Sequence, residues 1–562
     1  MTPSVGSSMS DTSPRVVDWL WLAGCALVSS VWCVTAARQL SATFDEPLYI
    51  ARGLEVWRTG SHSGLMKLVT MPLPVDLFTL PLYMWERWHG VQLDPLTDFQ
   101  RLLPWARAGT LIFWWVLLGY GCLAGRSLAG RWGGRLAVVL LACEPTLLAH
   151  ASLATTDIAI SACLLALVYH FRTARHAGWL RRVGVPAVWF AATVLAKASG
   201  VVFGPLCLFA VEIERLMRSG AVKGRLQPFR RDVTQVIGFG VLAVFIYCGS
   251  DWHEEASFVA WAHDLPDGPL GHSMVWVAEH LRIFSNAGEG LARQIKHNMR
   301  GAGGHWAYLL GEVRRAFWYY FPLALTIKLS LPLLALPALL AALRPRALVN
   351  WANVAAAALL LFSLILRVQI GVRLILPLIS LAVVGMAAAA VHTCTACAPG
   401  WRRQVLTVAL GVGVVWTAAT AVSVWPHGLC YTNELWGGTP RGYLSLSDSN
   451  YDWGQGLKEL ARWQRAHAAV PLDVWYFGTD PLLETLPVRP LLLHALPVNG
   501  PADVLAQVHG HYLAASITFV YGAAMTDSQR HAAAFLHTRR PIDRTTTFFI
   551  YDFTQDRDAN RQ

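Results

Sequence analysis

Two adjacent carboxylates, Asp45 and Glu46, stand in the stretch TFDEPLYIARGLEVWRTG at residues 43–60. They directly follow an apolar run of about 20 residues, long enough to cross a bilayer. An acid held at that height can take a proton from an acceptor beside a lipid-borne substrate. The plainer reading is a solvated helix start, with Asp45 as N-cap and Glu46 complementing the helix dipole. Leu48, Ile50, Ala51, Leu54 and Trp57, interleaved with Arg52, Glu55 and Arg58, suit a short amphipathic helix lying in the membrane interface.

Ionisable residues inside apolar runs are costly and mark candidate sites. Asp157 opens one run in LATTDIAIS, and Lys197 interrupts another in LAKASG. Lys328 lies within YYFPLALTIKLSLP, and Arg373, close to Arg367, opens QIGVRLILP. Taken singly, each can snorkel or cap a helix. Taken together, such cations suit one anionic lipid headgroup, with Asp45 and Glu46 beside the reacting acceptor. Glu144, before Pro145, is a further acid inside an apolar run, and the sequence gives it no role.

The elements that must position these residues are membrane helices. A chain of 562 residues that is 54% hydrophobic and 14% charged is too apolar for a soluble enzyme. The formal charge of +11 does not point to nucleic acid, because the Lys and Arg residues cluster in short loops between apolar runs. The 25 Trp residues fit interfacial belts. Apolar runs near 17–37, 108–125, 136–152, 155–171, 184–197, 199–213, 233–249, 317–342, 350–366, 372–391 and 404–424 predict about eleven transmembrane helices. The 184–213 stretch is split at Lys197-Ala198-Ser199-Gly200; a single tilted helix there would give ten. With eleven spans, the basic clusters at Arg126–Arg135, Arg172–Arg182, Arg215–Arg231, Arg344–Arg346 and Arg402–Arg403 all fall on the cytoplasmic side, as the positive-inside bias requires. Residues 1–16 are then a disordered cytoplasmic N-terminus and 17–424 the membrane domain. The outer loops are 38–107 and 250–316, and 425–562 is an extracytoplasmic α/β domain.

In that last domain Asp452-Trp453-Gly454-Gln455 precedes Leu457, Leu460, Ala461 and Trp463. This predicts an amphipathic helix with Asp452 as N-cap and Gln455 at the third position. Segments 472–478, 510–516 and 545–553 read as strands. No glycine-rich phosphate loop follows any of them. His253, His263, His272, His280, His297 and His305 crowd the second outer loop without metal-ligand spacing, so solvated interfacial histidines are the plainer reading. Cys394 and Cys397 form a lone C-x-x-C, weak evidence for metal or redox chemistry.

On FDEPLYIARG followed by RTG, EPTLLAHASLATTD, LAKASG, YYFPLALTIKLSLPLL, IGVRLILP and YTNELWGGTPRGYLSLSDSNYDWGQGLKELARW, the chain resembles the GT-C membrane glycosyltransferases. The resemblance is to the bacterial branch related to protein O-mannosyltransferases and lipid A aminoarabinose transferases. Many of those carry a His-Pro-Pro-Leu element in the first loop; here Met71-Pro72-Leu73-Pro74 stands in its place, without the His. The resemblance implies a polyprenyl-phosphate sugar donor, a protein, lipid or glycan acceptor, and transfer at the extracytoplasmic face of a bacterial inner membrane. It implies catalysis by Asp45 with Glu46 beside it, and substrate contacts from Asp157, Lys197, Lys328, Arg373, Asp452 and Gln455. No metal ligand and no cofactor is required by this scheme, although a divalent cation is compatible with it. The rival readings are a lipid or sugar transporter, whose inverted repeats are not found in the sequence, and an inactive transferase-like scaffold.

Overall fold

The long helices coincide with the apolar runs, because a backbone without water as partner must satisfy its own hydrogen bonds. The structure is a computed structural model that describes residues 15–219, 226–254, 256–280, 282, 285–299, 306–523 and 526–555. The N-terminal segment expected to be disordered falls almost wholly outside these residues, as does His305.

Among the described residues, five helices are long and apolar enough to cross a membrane: Val16–Gln39, Phe99–Cys143, Leu226–Cys248, Val372–Ala396 and Trp401–Ser423. A sixth is added if the bent pair Tyr320–Lys328 and Leu331–Leu343 counts as one. The protein is thus a mostly helical, multi-pass membrane protein; of the expected count of about eleven, five or six spans have that length and composition among the described residues. In Val372–Ala396, 83% of the apolar window is buried, against 22% in Val16–Gln39 and in Trp401–Ser423. The first is therefore the central helix and the other two present apolar faces to lipid. The central helix packs on Phe99–Cys143 and on Trp351–Ser363.

Three breaks give the bundle its shape. Phe99–Cys143, 45 residues, would be roughly 68 Å long if straight, more than twice a bilayer core. It is interrupted at Ala129 and Gly130, where Gly130 adopts φ +69°. A methyl on Gly125 would sit 2.5 Å from the Gly133 carbonyl oxygen, so the two arms fold back in backbone contact. The 184–213 run also breaks, into Val185–Ala196 and Gly200–Ser219, with extended backbone at Lys197. The third break, in the expected 317–342 span, turns the chain by 111° between Lys328 and Leu331. The expected span at 136–152 ends early as well. The chain turns at Glu144, whose carboxylate accepts from the Leu147 amide at 2.8 Å and caps the short helix Pro145–Ala151.

Strands β1 (Ala307–Leu309) and β2 (Glu312–Arg314) form a hairpin. The C-terminal segment builds a five-stranded mixed sheet from β3 (Leu472–Trp475), β4 (Arg489–Pro490), β5 (Tyr512–Ser516), β6 (Asp543–Arg544) and β7 (Phe548–Asp552), in the order β4-β3-β5-β7-β6. β3 runs parallel to β4 and β5, and β7 antiparallel to β5 and β6. Alternation along the strands feeds two cores. Leu472, Val474, Ala514, Phe548 and Ile550 pack with Leu457 and Leu460 of the helix Leu457–Ala466. Trp475, Leu513, Ala515, Phe549 and Tyr551 pack with Val504, Val508, Ala532 and Leu536 from the helices Pro501–Val508 and Asp527–His537.

Candidate active site

Asp45 occupies the N-cap position of the helix Glu46–Thr59, yet its carboxylate caps nothing. Instead its Oδ2 accepts a hydrogen bond from Arg373 Nη1 at 2.8 Å, and a longer one from the Tyr49 hydroxyl at 3.4 Å. The guanidinium of Arg373 lies over the Trp453 ring, 4.1 Å from its centroid. The Asp45 side chain retains 22% of its accessible surface, so a reacting group can reach it. It lines a cavity of about 960 Å³ together with Tyr49, Lys197, Arg367, Arg373, Asp448 and Trp453. Much of the remaining wall is apolar: Leu68, Val69, Val201, Val202, Phe203, Ile365 and Leu366.

Four distant parts of the chain hold these residues. The extended stretch before Asp45 is splinted to the late segment: Ser41 N donates to Gln455 O at 3.0 Å and Phe44 N to Trp453 O at 2.9 Å. Asp480 accepts from Ala42 N at 2.6 Å, and Thr479 Oγ1 donates to Phe44 O at 2.6 Å. Lys197, freed from helix by the break, reaches back to Asp157 Oδ1 at 2.6 Å; Asp157 is fully buried, with His150 Nδ1 4.0 Å from its other oxygen. Arg373 is placed by the short 3-10 turn Val372–Ile375, where Val372 N donates to Asn450 Oδ1 at 2.9 Å. Among the described residues the buried atoms Arg373 Nε, Ser199 Oγ and Asp157 Oδ2 have no hydrogen-bond partner, and Arg373 and Ser199 belong to the cavity wall.

Of the expected site residues, Asp45, Lys197 and Arg373 meet in the cavity. Asp157 lies behind it, holding Lys197. Glu46 lies elsewhere. Its Oε1 accepts from Arg107 Nε and from Ala154 N, each at 2.8 Å. Its Oε2 accepts from Arg107 Nη2 at 2.7 Å, Thr43 N at 2.8 Å and Thr43 Oγ1 at 3.0 Å. Burial alone would raise the Glu46 carboxyl, but the Arg107 charge and the Thr43 and Ala154 amides hold it below the usual range. With five donors and no exposure, Glu46 is a clamp between the first loop and the 154–157 segment, outside the cavity wall.

Lys328 is likewise occupied. Its ammonium donates to the carbonyls of Leu429, Tyr431 and Asn450 at 2.7, 2.6 and 2.8 Å, using all three protons. It stands at the 111° bend and seats the late segment against it, without lining the cavity. Asp452 and Gln455 do not cap the following helix, which starts at Leu457 with Gly456 as its cap. Asp452 accepts from Thr518 N at 3.1 Å and Gly454 N at 3.2 Å, while Gln455 Oε1 accepts from Trp453 N at 2.8 Å. Both shape the turn that presents Trp453. Burial raises the Asp452 carboxyl to about 7.

Sequence reasoning missed Asp448, which sits in the cavity wall at φ +56°. Burial pushes its carboxyl up to about 6 against the pull of Arg373. It also missed Arg107, an ordinary-looking basic residue before a span. The signal for both was position: Asp448 lies in SDSNYDWGQG, and Arg107 borders an apolar run. Among the described residues no three His, Cys, Asp or Glu side chains are grouped to hold a metal. Cys394 and Cys397 are free thiols, and His263 pairs with Glu279 at 2.8 Å.

No family model and no curated protein sequence matches the chain. Among solved structures, ArnT from Cupriavidus metallidurans bound to undecaprenyl phosphate aligns at 14% identity over 96% of this chain and 98% of that one, TM-score 0.45. The archaeal oligosaccharyltransferase AglB from Archaeoglobus fulgidus, in complex with an inhibitory peptide and a dolichol-phosphate, aligns at 10% identity over 97% of this chain and 76% of its own, TM-score 0.45. The mycobacterial arabinofuranosyltransferase AftD aligns at 13% identity over 98% of this chain and 40% of its own, TM-score 0.34. At these scores the likeness assigns neither activity nor ligand to this chain.

Proposed function

We propose that the protein is a membrane glycosyltransferase that moves a sugar from a polyprenyl-phosphate donor to an acceptor hydroxyl or amine on the extracytoplasmic face of a bacterial inner membrane. The observation that carries this reading is the reachable carboxylate of Asp45 in a largely apolar cavity whose wall also bears Lys197, Arg367 and Arg373. A lipid-phosphate sugar has the same three parts: an apolar chain, an anionic phosphate and a polar group to be transferred. The first-loop acidic step and the late segment, which carry the sequence resemblance, meet at this cavity through the Phe44–Trp453 backbone bond.

In this reading Asp45 accepts the proton of the acceptor's nucleophilic group. That group's oxygen or nitrogen bonds the anomeric carbon as the bond from that carbon to the phosphate oxygen breaks. The electron pair leaves on the phosphate, where the cations stabilise the growing charge in a site poor in water. One displacement inverts the anomeric centre. The Asp45–Arg373 bond gives the order of events a physical basis. A donor phosphate competes for the guanidinium, and the carboxylate that loses a hydrogen-bond donor becomes the stronger base. Lys197, held by Asp157, and Arg367, which has no ion-pair partner among the described residues, are the other phosphate contacts. The test is transfer by purified protein from a polyprenyl-phosphate sugar. Asp45→Asn keeps the shape and removes the base; turnover close to wild type in a folded variant would exclude Asp45 from this role.

A further inference from the structure

A second cavity, about 220 Å³, lies among loops that the charge pattern assigns to the opposite membrane face. It is lined by Leu128 of the hairpin turn, Arg218, the connection Arg344, Arg346, Ala347 and Asn350, and Ala388 with His392 of the central helix. Four separate segments thus bring three guanidiniums and an imidazole around one hollow, and no carboxylate lines it.

Several arginines on nearby segments are ion-paired, whereas two in this hollow have no ion-pair partner among the described residues. Arg131 and Arg135 pair with Asp18, Arg175 and Arg182 with Asp232, and Arg215 with Glu212. Within the cavity Arg218 is tied to Glu214 and to the Val349 carbonyl. Among the described residues the Arg344 guanidinium makes one bond, at 3.4 Å to the His392 carbonyl, and the Arg346 guanidinium has no hydrogen-bond or ion-pair partner. His392 Nε2 donates to Leu128 O at 2.8 Å, so Nδ1 carries no proton while the ring is neutral. Asn350 spends its amide on Gly385 O at 3.0 Å and Ala347 O at 3.4 Å, which fixes the connection bearing Arg344 and Arg346. Two arginines without an ion-pair partner among the described residues, one with a single long hydrogen bond and one with none, face a hollow at the helix ends and form a site for a phosphate oxyanion.

We infer that this hollow binds the phosphate of an anionic membrane phospholipid, at the end of the bundle remote from Asp45. The membrane is the source that fits. The cavity opens at the ends of helices expected to cross a bilayer, and basic pockets between such helices hold acidic headgroups. The lipid would tie the hairpin turn to the 344–350 connection and to the foot of the central helix, leaving the transfer site free.

The experiment incubates delipidated protein with vesicles of phosphatidylglycerol or of phosphatidylcholine and counts retained lipids by native mass spectrometry. Wild type should keep phosphatidylglycerol in preference. Arg346→Gln, which breaks no contact of the fold, and its double variant with Arg344→Gln should lose affinity, the double by about tenfold. Arg403→Gln, exposed in the first turn of the helix Trp401–Ser423 and outside the cavity, should match wild type. Equal retention by Arg346→Gln and wild type, with melting temperature unchanged, would overturn the site. Stabilisation by inorganic phosphate without a preference between the two lipids would overturn the lipid as its occupant.

Discussion

Asp45 and Glu46 are neighbours in the chain and each meets an arginine, but they belong to different regions. The Glu46 pair lies inside the wall, with side-chain exposures of 0% and 1% and five donors on the carboxylate. The Asp45 pair lies on the cavity face, with one good hydrogen bond, one long one and open surface. Charge type and sequence position do not separate a structural acid from a reactive one. The number of unspent lone pairs and the path to solvent do. A carboxylate that has filled its acceptor sites has nothing left for a substrate proton.

The largest effect should come from removing the proposed base. Asp45→Asn is expected to lower turnover by roughly 10²–10⁴-fold, the range of a lost general base, with the melting transition unmoved. A transfer assay paired with a melting curve reads both. The wall pair should invert that pattern. Glu46→Gln and Arg107→Met each leave a buried charge uncompensated and should destabilise the fold by about 3–5 kcal/mol, while molecules that remain folded turn over. A Glu46→Gln variant that melts normally but fails in transfer would erase the distinction. Next come the cavity cations. Lys197→Met and Arg367→Gln should weaken donor binding by about tenfold each, the scale of one hydrogen bond to a charged group, at little cost in stability for Arg367. Undiminished donor affinity in both would take the phosphate away from this wall.

The smallest effect expected is one of pH. Burial pushes the Asp448 carboxyl up to about 6, and its negative charge faces the same arginine as Asp45 does. As pH falls through 6 that charge is lost, Arg373 is left freer for an anion, and donor affinity should rise by roughly threefold. Asp448→Asn should hold the tighter affinity across pH 5–8. A wild-type profile that the variant reproduces unchanged would assign the titration elsewhere.

The sequence carried the helical class and the position of the acidic step, because bilayer length and local charge are written in contiguous residues. Strands near 472–478, 510–516 and 545–553 were legible for the same reason, and β3, β5 and β7 fall within them. The short partners β4 and β6, two residues each, have no periodicity to read. The break at Lys197 showed itself as a charge beside a glycine. The turn at 317–342 did not, since Leu329-Ser330 interrupts no apolar pattern and the force that seats it comes from Lys328 meeting carbonyls about a hundred residues later. That non-local contact also explains why Lys328 reads as a substrate cation from sequence. Its three acceptors are backbone oxygens, which no residue type announces. Asp452 failed as a cap for the opposite reason: its local spacing was right, but the Thr518 amide won its carboxylate.

The splint beside Asp45 has a bearing on how a ribosome delivers this protein. Ser41 accepts from Leu457 N across 416 residues of chain. At translation speeds of about 5–20 residues per second, the acidic step is in the membrane for roughly 20–80 seconds before its support exists. Throughout that interval the nascent chain holds Asp45, the proposed base, without the backbone that positions it. A prematurely terminated product ending before residue 450 would keep most of its helices and lack Trp453 under Arg373. Such a chain would be inserted with an incomplete cavity, so under the proposed function competence for transfer would arrive only as synthesis nears its close.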